Sequence, residues 1–408
     1  MIRADAEALD RDDPLRRSRE LFELPKGVIY LDGNSLGPIP RSVYPTMEDL
    51  LLRQWGQDLI TSWNKAGWIE APQRVGGKIA RLIGARATEV VVADSTSVNL
   101  YKLAAGALSL RPGRRKIVTE AGNFHTDVYV LEGLARLAGA TLEVLPRAEV
   151  LGAIGDDTAL VMLTHVHYAT AEVWDMAAVT AAAHDRGALM LWDLSHTAGA
   201  VGCDLNGARA DLAVGCGYKH LNGGPGAPAF LYVAERHQGA IATPLSGWMG
   251  HAAPFAFEPR YSPAPDIRAQ LCGTPPILGI AALECGVDTH LSVTPQAVAA
   301  KGRSLCDLFI RLVEDRCAGY GLTLVGPRDV ARRGLHVSFA HADGYALVQA
   351  LIARGVIGDF RDPDICRFGF TPLYLGHAEV WDAVEILREV LASRAFERPE
   401  FRTRAAVT

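Results

Sequence analysis

Ala188-Leu-Met-Leu-Trp-Asp193-Leu-Ser-His196, followed by Asp211-Leu-Ala-Val-Gly-Cys-Gly-Tyr218-Lys219-His220-Leu-Asn222-Gly-Gly-Pro-Gly226, decides the fold. Each stretch opens as a short apolar run, the pattern of a strand buried on both faces, and ends in polar residues and a turn. An acidic residue closes the first run and a lysine closes the second. In an open α/β sheet the carboxyl ends of the strands face the ligand crevice, so Asp193, His196, Tyr218 and Lys219 are expected to converge there.

The same alternation extends on both sides. Glu89–Ala93, Lys116–Thr119, Thr141–Leu145, Ala159–Thr164 and Ala229–Val233 read as strands, giving seven with Ala188–Trp192 and Leu212–Cys216. Thr96–Leu110, Val128–Ala138 and Met176–Arg186 read as the helices between them. This is an α/β class pattern, a mainly parallel seven-stranded sheet flanked by helices. Past residue 290 a long helix (Pro295–Arg316) precedes β-like runs at Leu335–Phe339 and Cys366–Phe370 and helices near Tyr345–Ala353 and Glu379–Leu391, a smaller α+β domain. The expected domains are 61–290 and 291–408, with an N-terminal segment 1–60, carrying a helix over Val43–Leu59, packed beside the smaller one.

Composition narrows the function. The 408 residues are 49% hydrophobic and 21% charged, ordinary globular values, and 41 basic against 46 acidic residues leave a net charge of −5. Nothing there would hold a polyanion, so no nucleic-acid partner is expected. The longest uncharged stretch, His237 to Phe257, is broken by Pro244, Pro254 and three glycines, and reads as a loop rather than a membrane span. The N-terminus carries Asp and Arg throughout and lacks the apolar segment of a secretory signal, which makes the cytoplasm the expected compartment. Seven scattered cysteines without C-x-x-C spacing suggest buried thiols, with no disulfide framework and no metal site.

A lysine at the apolar end of a strand is poorly placed as a solvated charge, and desolvation favours the neutral amine that condenses with aldehydes. Pyridoxal 5′-phosphate needs such a lysine together with a carboxylate for its pyridinium nitrogen, and Lys219 with Asp193 supplies both. Upstream, Asp94-Ser-Thr96-Ser97-Val-Asn99 sits between a strand and a helix, where hydroxyls and free N–H groups can hold a phosphate; on its own the motif is equally a helix cap. Asn123-Phe124-His125-Thr126-Asp127 also lies between a strand and a helix. Phe124 could stack on a pyridine ring and Asp127 could bond its phenolic oxygen, or the two are a buried Phe and a capping Asp.

Taken together, Leu31-Asp-Gly-Asn34-Ser-Leu-Gly37, Asp94-Ser-Thr-Ser-Val-Asn-Leu100, Phe124-His-Thr-Asp127, Trp192-Asp-Leu-Ser-His196, Tyr218-Lys219-His-Leu-Asn222, Gly247-Trp248-Met-Gly-His251 and Thr274-Pro-Pro-Ile277 resemble the kynureninase family, fold type I pyridoxal-phosphate enzymes of the class V aminotransferase superfamily. The resemblance implies that Lys219 carries the cofactor as a Schiff base, Asp193 pairs with the ring nitrogen and Phe124 stacks on the ring. It implies phosphate contacts from Thr96, Ser97 and Tyr218, with Trp248 and Thr274 reaching the cofactor site of the partner in a homodimer. Asp127, Thr164 and His196 would line the cofactor, and Arg367, assisted by Asn34, would hold the substrate α-carboxylate in a bidentate fork.

The implied reaction is L-kynurenine plus water to anthranilate and L-alanine, part of tryptophan catabolism and NAD biosynthesis, with Lys219 as base and Tyr218 as proton donor. Thr274 and Trp63 favour kynurenine without a ring hydroxyl. The chain departs from the usual family pattern at His125, Thr126 and His220, none of which removes a reactive group. Other readings are a cysteine desulfurase, a small-amino-acid aminotransferase, or an inert cofactor-binding regulatory module. A desulfurase needs a reactive cysteine in the C-terminal half, and Cys366 reads better as packing.

Overall fold

The computed structural model describes residues 2–404; residue 1 and residues 405–408, the outer ends of the expected terminal domains, lie outside the described residues. The chain forms two compact units. The larger comprises Ser42–His165 and Trp174–Asp288; the smaller comprises the chain up to Arg41, Val166–Val173, and the chain from Thr289 onward. The division thus falls after Arg41 rather than at residue 60.

The larger unit is built on β1 (Val90–Val92), β2 (Lys116–Glu120), β3 (Thr141–Leu145), β4 (Thr158–Thr164), β5 (Leu189–Asp193), β6 (Leu212–Gly215) and β7 (Phe230–Val233). Their spatial order is β1-β7-β6-β5-β4-β2-β3. The ladders from β3 across to β6 are parallel, whereas β7 is antiparallel to both its neighbours. Every residue of β1, β4, β5, β6 and β7 is buried, which is why these strands read as unbroken apolar runs. Full burial of each Val, Leu or Ile side chain contributes about 1.5–3 kcal/mol. Edge strand β3 is half exposed and carries Thr141 and Glu143.

The chain runs outward from β2 to β3, returns to β4, and then proceeds the other way through β5 and β6. The reversal therefore lies between the neighbours β2 and β4, the position where α/β sheets bind ligands at their carboxyl ends. Register brings Thr164 of β4 level with Asp193 of β5, and Asp193 level with Val214 of β6. Helices α1 (Thr96–Leu110), α2 (His125–Ala138) and α3 (Met176–Asp185) are the crossovers.

The segment Val43–Leu59 is not one helix. It is α-helical over Val43–Asp49, widens into a π-turn over Leu50–Trp55, and breaks where Leu59 takes a φ of 51°. The uncharged stretch 237–257 is a loop, with short 3-10 turns at Glu235–His237 and Trp248–Gly250. No single helix among the described residues is long and apolar enough to cross a membrane.

The smaller unit holds an antiparallel sheet of β8 (Thr323–Val325), β9 (His336–Ala340), β10 (Asp359–Arg361) and β11 (Ile365–Gly369), in the order β10-β11-β9-β8. Phe309, on the helix Pro295–Arg316, packs its ring against Phe339, Phe368 and Phe370 at centroid distances of 6.1, 5.0 and 5.1 Å. The N-terminal helix Arg3–Arg11 joins this unit through Asp10, which accepts from the N–H groups of His377 and Ala378 at the start of the last long helix.

Candidate active site

Asp193, the last residue of β5, is 4% exposed. Its Oδ1 accepts from the backbone N–H and the hydroxyl of Ser195 at 2.8 and 2.6 Å. Beside it, Thr164 donates to Asn123 Oδ1 and lies 3.4 Å from Asp127 Oδ2. Asp127 is buried in the first turn of α2. Asn123 also accepts from the N–H of Phe124 at 2.8 Å and donates to Thr119 of β2, tying the start of α2 to the sheet. Burial pushes the Asp127 carboxyl well above the usual range, and the nearby charge of Asp193 adds to this. Burial also raises Asp193, restrained by the bonds from Ser195 and the charge of Lys219. Burial thus favours the neutral form of both carboxyls, and each feels the other.

Lys219 stands in the loop past Gly215, where β6 ends, not at the strand end itself. The loop is tightly wound: Gly223 N–H donates to Gly217 O at 2.9 Å, Asn222 N–H donates to Lys219 O at 2.9 Å, and Asn222 adopts a φ of 55°. A Cβ at position 217 would fall 2.3 Å from Pro228 O, so only glycine fits. This winding places Lys219 Nζ 3.1 Å from His196 Nε2 and about 6 Å from the ring centres of Phe124 and Tyr218, 5.8 and 5.9 Å respectively. Seven expected residues (Phe124, Asp127, Thr164, Asp193, His196, Tyr218 and Lys219) thus meet at the carboxyl ends of β2, β4, β5 and β6.

A cavity of about 480 Å³ adjoins them, lined by Asp94, Ser95, Thr96, Tyr218, residues 226–229 and Pro276. Ser95 is the N-cap of α1, its hydroxyl accepting from Val98 N–H. The hydroxyls of Thr96 and Ser97 are therefore not used for capping, and the helix N-terminus favours an anion. Asp94 would oppose one. Its charge is met by the fully buried Lys102, whose Nζ lies 2.6 Å from Asp94 Oδ2 and 2.7 Å from Gln270 O. Neither Lys102 nor Asn123 was anticipated as a site residue, although Asn123 opens the Phe124–Asp127 motif at a position suited to an Asx cap.

Trp248 and Thr274 lie on neighbouring segments. A Cβ on Gly247 would come within 2.2 Å of Cys272 O, and Met249 N–H donates to the same carbonyl at 3.2 Å. Neither residue lines the cavity of its own chain. The Trp248 side chain is 39% exposed and meets Phe255 edge-on. Trp63 is half-buried, edge-on to Trp68 at 5.9 Å.

In the smaller unit Arg367, on β11, is 2% exposed. Its Nε and Nη2 both donate to the carboxylate of Asp359, Nη2 also donates to Ser35 Oγ at 3.0 Å, and Nη1 donates to Tyr168 O at 2.6 Å. Asn34 turns its amide oxygen to Nε and Nη2 at 3.1 and 3.2 Å. The side edge of the guanidinium, the usual face of a bidentate fork, is thus already occupied by Asp359. A fork to a substrate carboxylate would therefore have to use the other edge; the sequence shows the donor but not its partners. Asp32 lies in the same cluster and is pushed up to about 7 by burial and by the charge of Asp359.

A description of the kynureninase C-terminal domain matches residues 298–387. Over its full length the chain is 52% identical to the kynureninases of Burkholderia mallei (strain SAVP1), Burkholderia pseudomallei (strain K96243) and Pseudomonas fluorescens, covering 99% of each. The chain belongs to the kynureninase family. Among solved structures it is similar to a cysteine desulfurase from Thermococcus onnurineus NA1, with a TM-score of 0.79 at 20% identity over 93% of this chain and 98% of that one. It is likewise similar to the cystine C–S lyase C-DES with glycine covalently linked to its PLP cofactor, with a TM-score of 0.78 at 16% identity over 91% and 99%. These likenesses carry the fold, that of the fold type I enzymes. They do not make this kynureninase-family chain a desulfurase: Cys366 is fully buried and its thiol is pushed up to about 12 by burial, the opposite of a reactive thiolate.

Proposed function

We propose that the chain hydrolyses the Cβ–Cγ bond of L-kynurenine, giving anthranilate and L-alanine, with pyridoxal 5′-phosphate bound at Lys219. The observation that carries this is the meeting of Lys219 with the buried carboxyls of Asp127 and Asp193 in a chain of this family. The donor set fits the cofactor: a primary amine for its aldehyde, a buried carboxylate for its ring nitrogen, the face of Phe124 for its ring, and the start of α1 with Thr96, Ser97 and Tyr218 for its phosphate. When bound, it supplies an electron sink for the charge left at the substrate α-carbon.

The protein's own residues do the rest. The Lys219 amine would remove the substrate α-proton, with His196 at 3.1 Å orienting that amine. Asp193 holds a proton at the ring nitrogen. Asp127, Thr164 and Asn123 keep Asp193 and Phe124 in place. Tyr218 delivers a proton on the substrate's reacting side. One water is consumed: its hydroxyl ends in the anthranilate carboxyl group, and a proton ends on the alanine β-carbon. Arg367 is assigned to the substrate α-carboxylate.

Trp248 and Thr274 are assigned to the partner's cofactor phosphate in a homodimer, supported by the exposed indole and its neighbours Phe255 and Phe257, 61% and 81% exposed. Thr274 and Trp63 are assigned to the substrate ring, with preference for the unsubstituted one. Seven free cysteines suit a reducing compartment such as the cytoplasm.

The test is incubation of the purified protein with L-kynurenine, following anthranilate fluorescence and alanine together. Equimolar appearance of both is expected, reduced to background in Lys219→Ala. A protein that retains the visible absorption of bound cofactor and yields no anthranilate would refute the assignment.

A further inference from the structure

A guanidinium carries five N–H donors. At Arg367 four are committed: Nε and one Nη2 hydrogen to the two oxygens of Asp359, where the Asn34 amide oxygen also lies at 3.1 and 3.2 Å, the other Nη2 hydrogen to Ser35, and one Nη1 hydrogen to Tyr168 O. One Nη1 hydrogen remains for a ligand. A carboxylate bound by a single N–H would be held loosely, so a second donor must be released.

The partners differ in how readily they can yield. Asp359 and Arg367 side chains are each 2% exposed, and separating a buried carboxylate from its cation leaves two uncompensated charges. Arg361 grips the same carboxylate. Asn34 is fixed too, because a Cβ on Gly369 would overlap its side chain at 1.7 Å. Ser35 is a neutral, half-buried hydroxyl with two further contacts: its Oγ donates to Asp359 Oδ2 at 2.9 Å and accepts a long bond from Arg361 Nη2 at 3.5 Å. It can release Nη2 and keep the bond to Asp359.

We infer that Arg367 takes the substrate carboxylate end-on, through Nη1 and Nη2, with Ser35 as a placeholder that yields Nη2 on binding and Asp359 as the positioning residue that sets the direction of the guanidinium. This rests on the reading of Arg367 as the carboxylate-binding residue. Asp359 leaves Nη1 and Nη2 as the reachable edge, and the Ser35 oxygen occupies the place of one carboxylate oxygen.

Steady-state kinetics of the holoenzyme on L-kynurenine, with inhibition by L-alanine, separate the roles. In Ser35→Ala the KM falls about 2- to 10-fold, the worth of one neutral hydrogen bond, with kcat within twofold and the L-alanine inhibition constant falling by the same factor. A KM that is unchanged or raised overturns the placeholder. In Asp359→Asn, whose amide cannot accept along both side-edge N–H groups, KM rises at least about tenfold while kcat changes less than about threefold. A loss of kcat at constant KM overturns the positioning role. Should that variant fail to fold by circular dichroism, Ser35→Ala decides alone. Arg367→Gln separates the two levels: if its KM and L-alanine inhibition constant stay near wild type, the assignment of Arg367 itself fails, whereas a large rise in both with a raised KM in Ser35→Ala refutes the end-on geometry only.

Discussion

At the scale of single residues the candidate site sets two buried carboxyls, Asp127 and Asp193, beside each other. Burial raises both carboxyls; the charge of Asp193 adds to this at Asp127, while two bonds from Ser195 restrain it at Asp193. Asp193→Asn should therefore lower kcat/KM by about 100-fold or more, since an amide cannot keep a ring nitrogen protonated. A loss below tenfold would show that Asp193 is not its partner. Asp193 and Lys219 were legible in the sequence because each follows an apolar run whose burial is itself legible. Asn123, Ser35 and Asp359 were not: their roles come from partners far away in the chain, such as Thr164 for Asn123 and Arg367 for the other two.

At the scale of elements, close backbone approach matters more than propensity. The Gly247–Gly250 turn lies so near Cys272 and Leu271 that neither glycine has room for a side chain. Gly247→Ala should destabilise the fold by about 1–3 kcal/mol, as overpacking does, and, if Trp248 lies in the proposed homodimer interface, loosen that interface by displacing it. Thermal melting and sedimentation that match wild type would separate this loop from any interface. Strand Thr141–Leu145 and helix Thr96–Leu110 matched their sequence reading to the residue, since periodicity and flanking turns agree there. The stretch Val43–Leu59 did not, because its i−5 hydrogen bonds, such as Asp58 N–H to Arg53 O, depend on local geometry that an apolar period does not encode. Three-residue β10, Asp359–Arg361, went unread because two of its residues are charged, and their partners lie on the neighbouring strand and in the N-terminal segment.

Across the larger unit, a second charged centre sits at the other end of β6. Asp211, just ahead of that strand, accepts from Met190 N–H, His184, Arg236 and His237. Burial alone would raise its carboxyl, but the bonds from the two histidines and Met190 outweigh it and hold the group well below the usual range. A lowered folded-state value means a stability contribution that is complete above the unfolded value of about 4 and lost as pH falls below it, worth about 2 kcal/mol. Urea midpoints should fall progressively as pH drops below about 5, with the loss continuing below about pH 3, in the wild type, and less steeply in Asp211→Asn, which starts lower at about pH 7. Parallel slopes would assign acid sensitivity elsewhere.

The smaller unit is drawn from three separate stretches of chain, whereas the larger is complete once residue 288 has been made. On a ribosome, which releases the chain from its N-terminus, the residues from Thr96 to Lys219 are all in place before the smaller unit can close. Ser35 emerges early and waits for Asp359 and Arg367, close to the end. Each newly made molecule therefore completes the residues proposed to hold the cofactor well before those proposed to hold the substrate carboxylate.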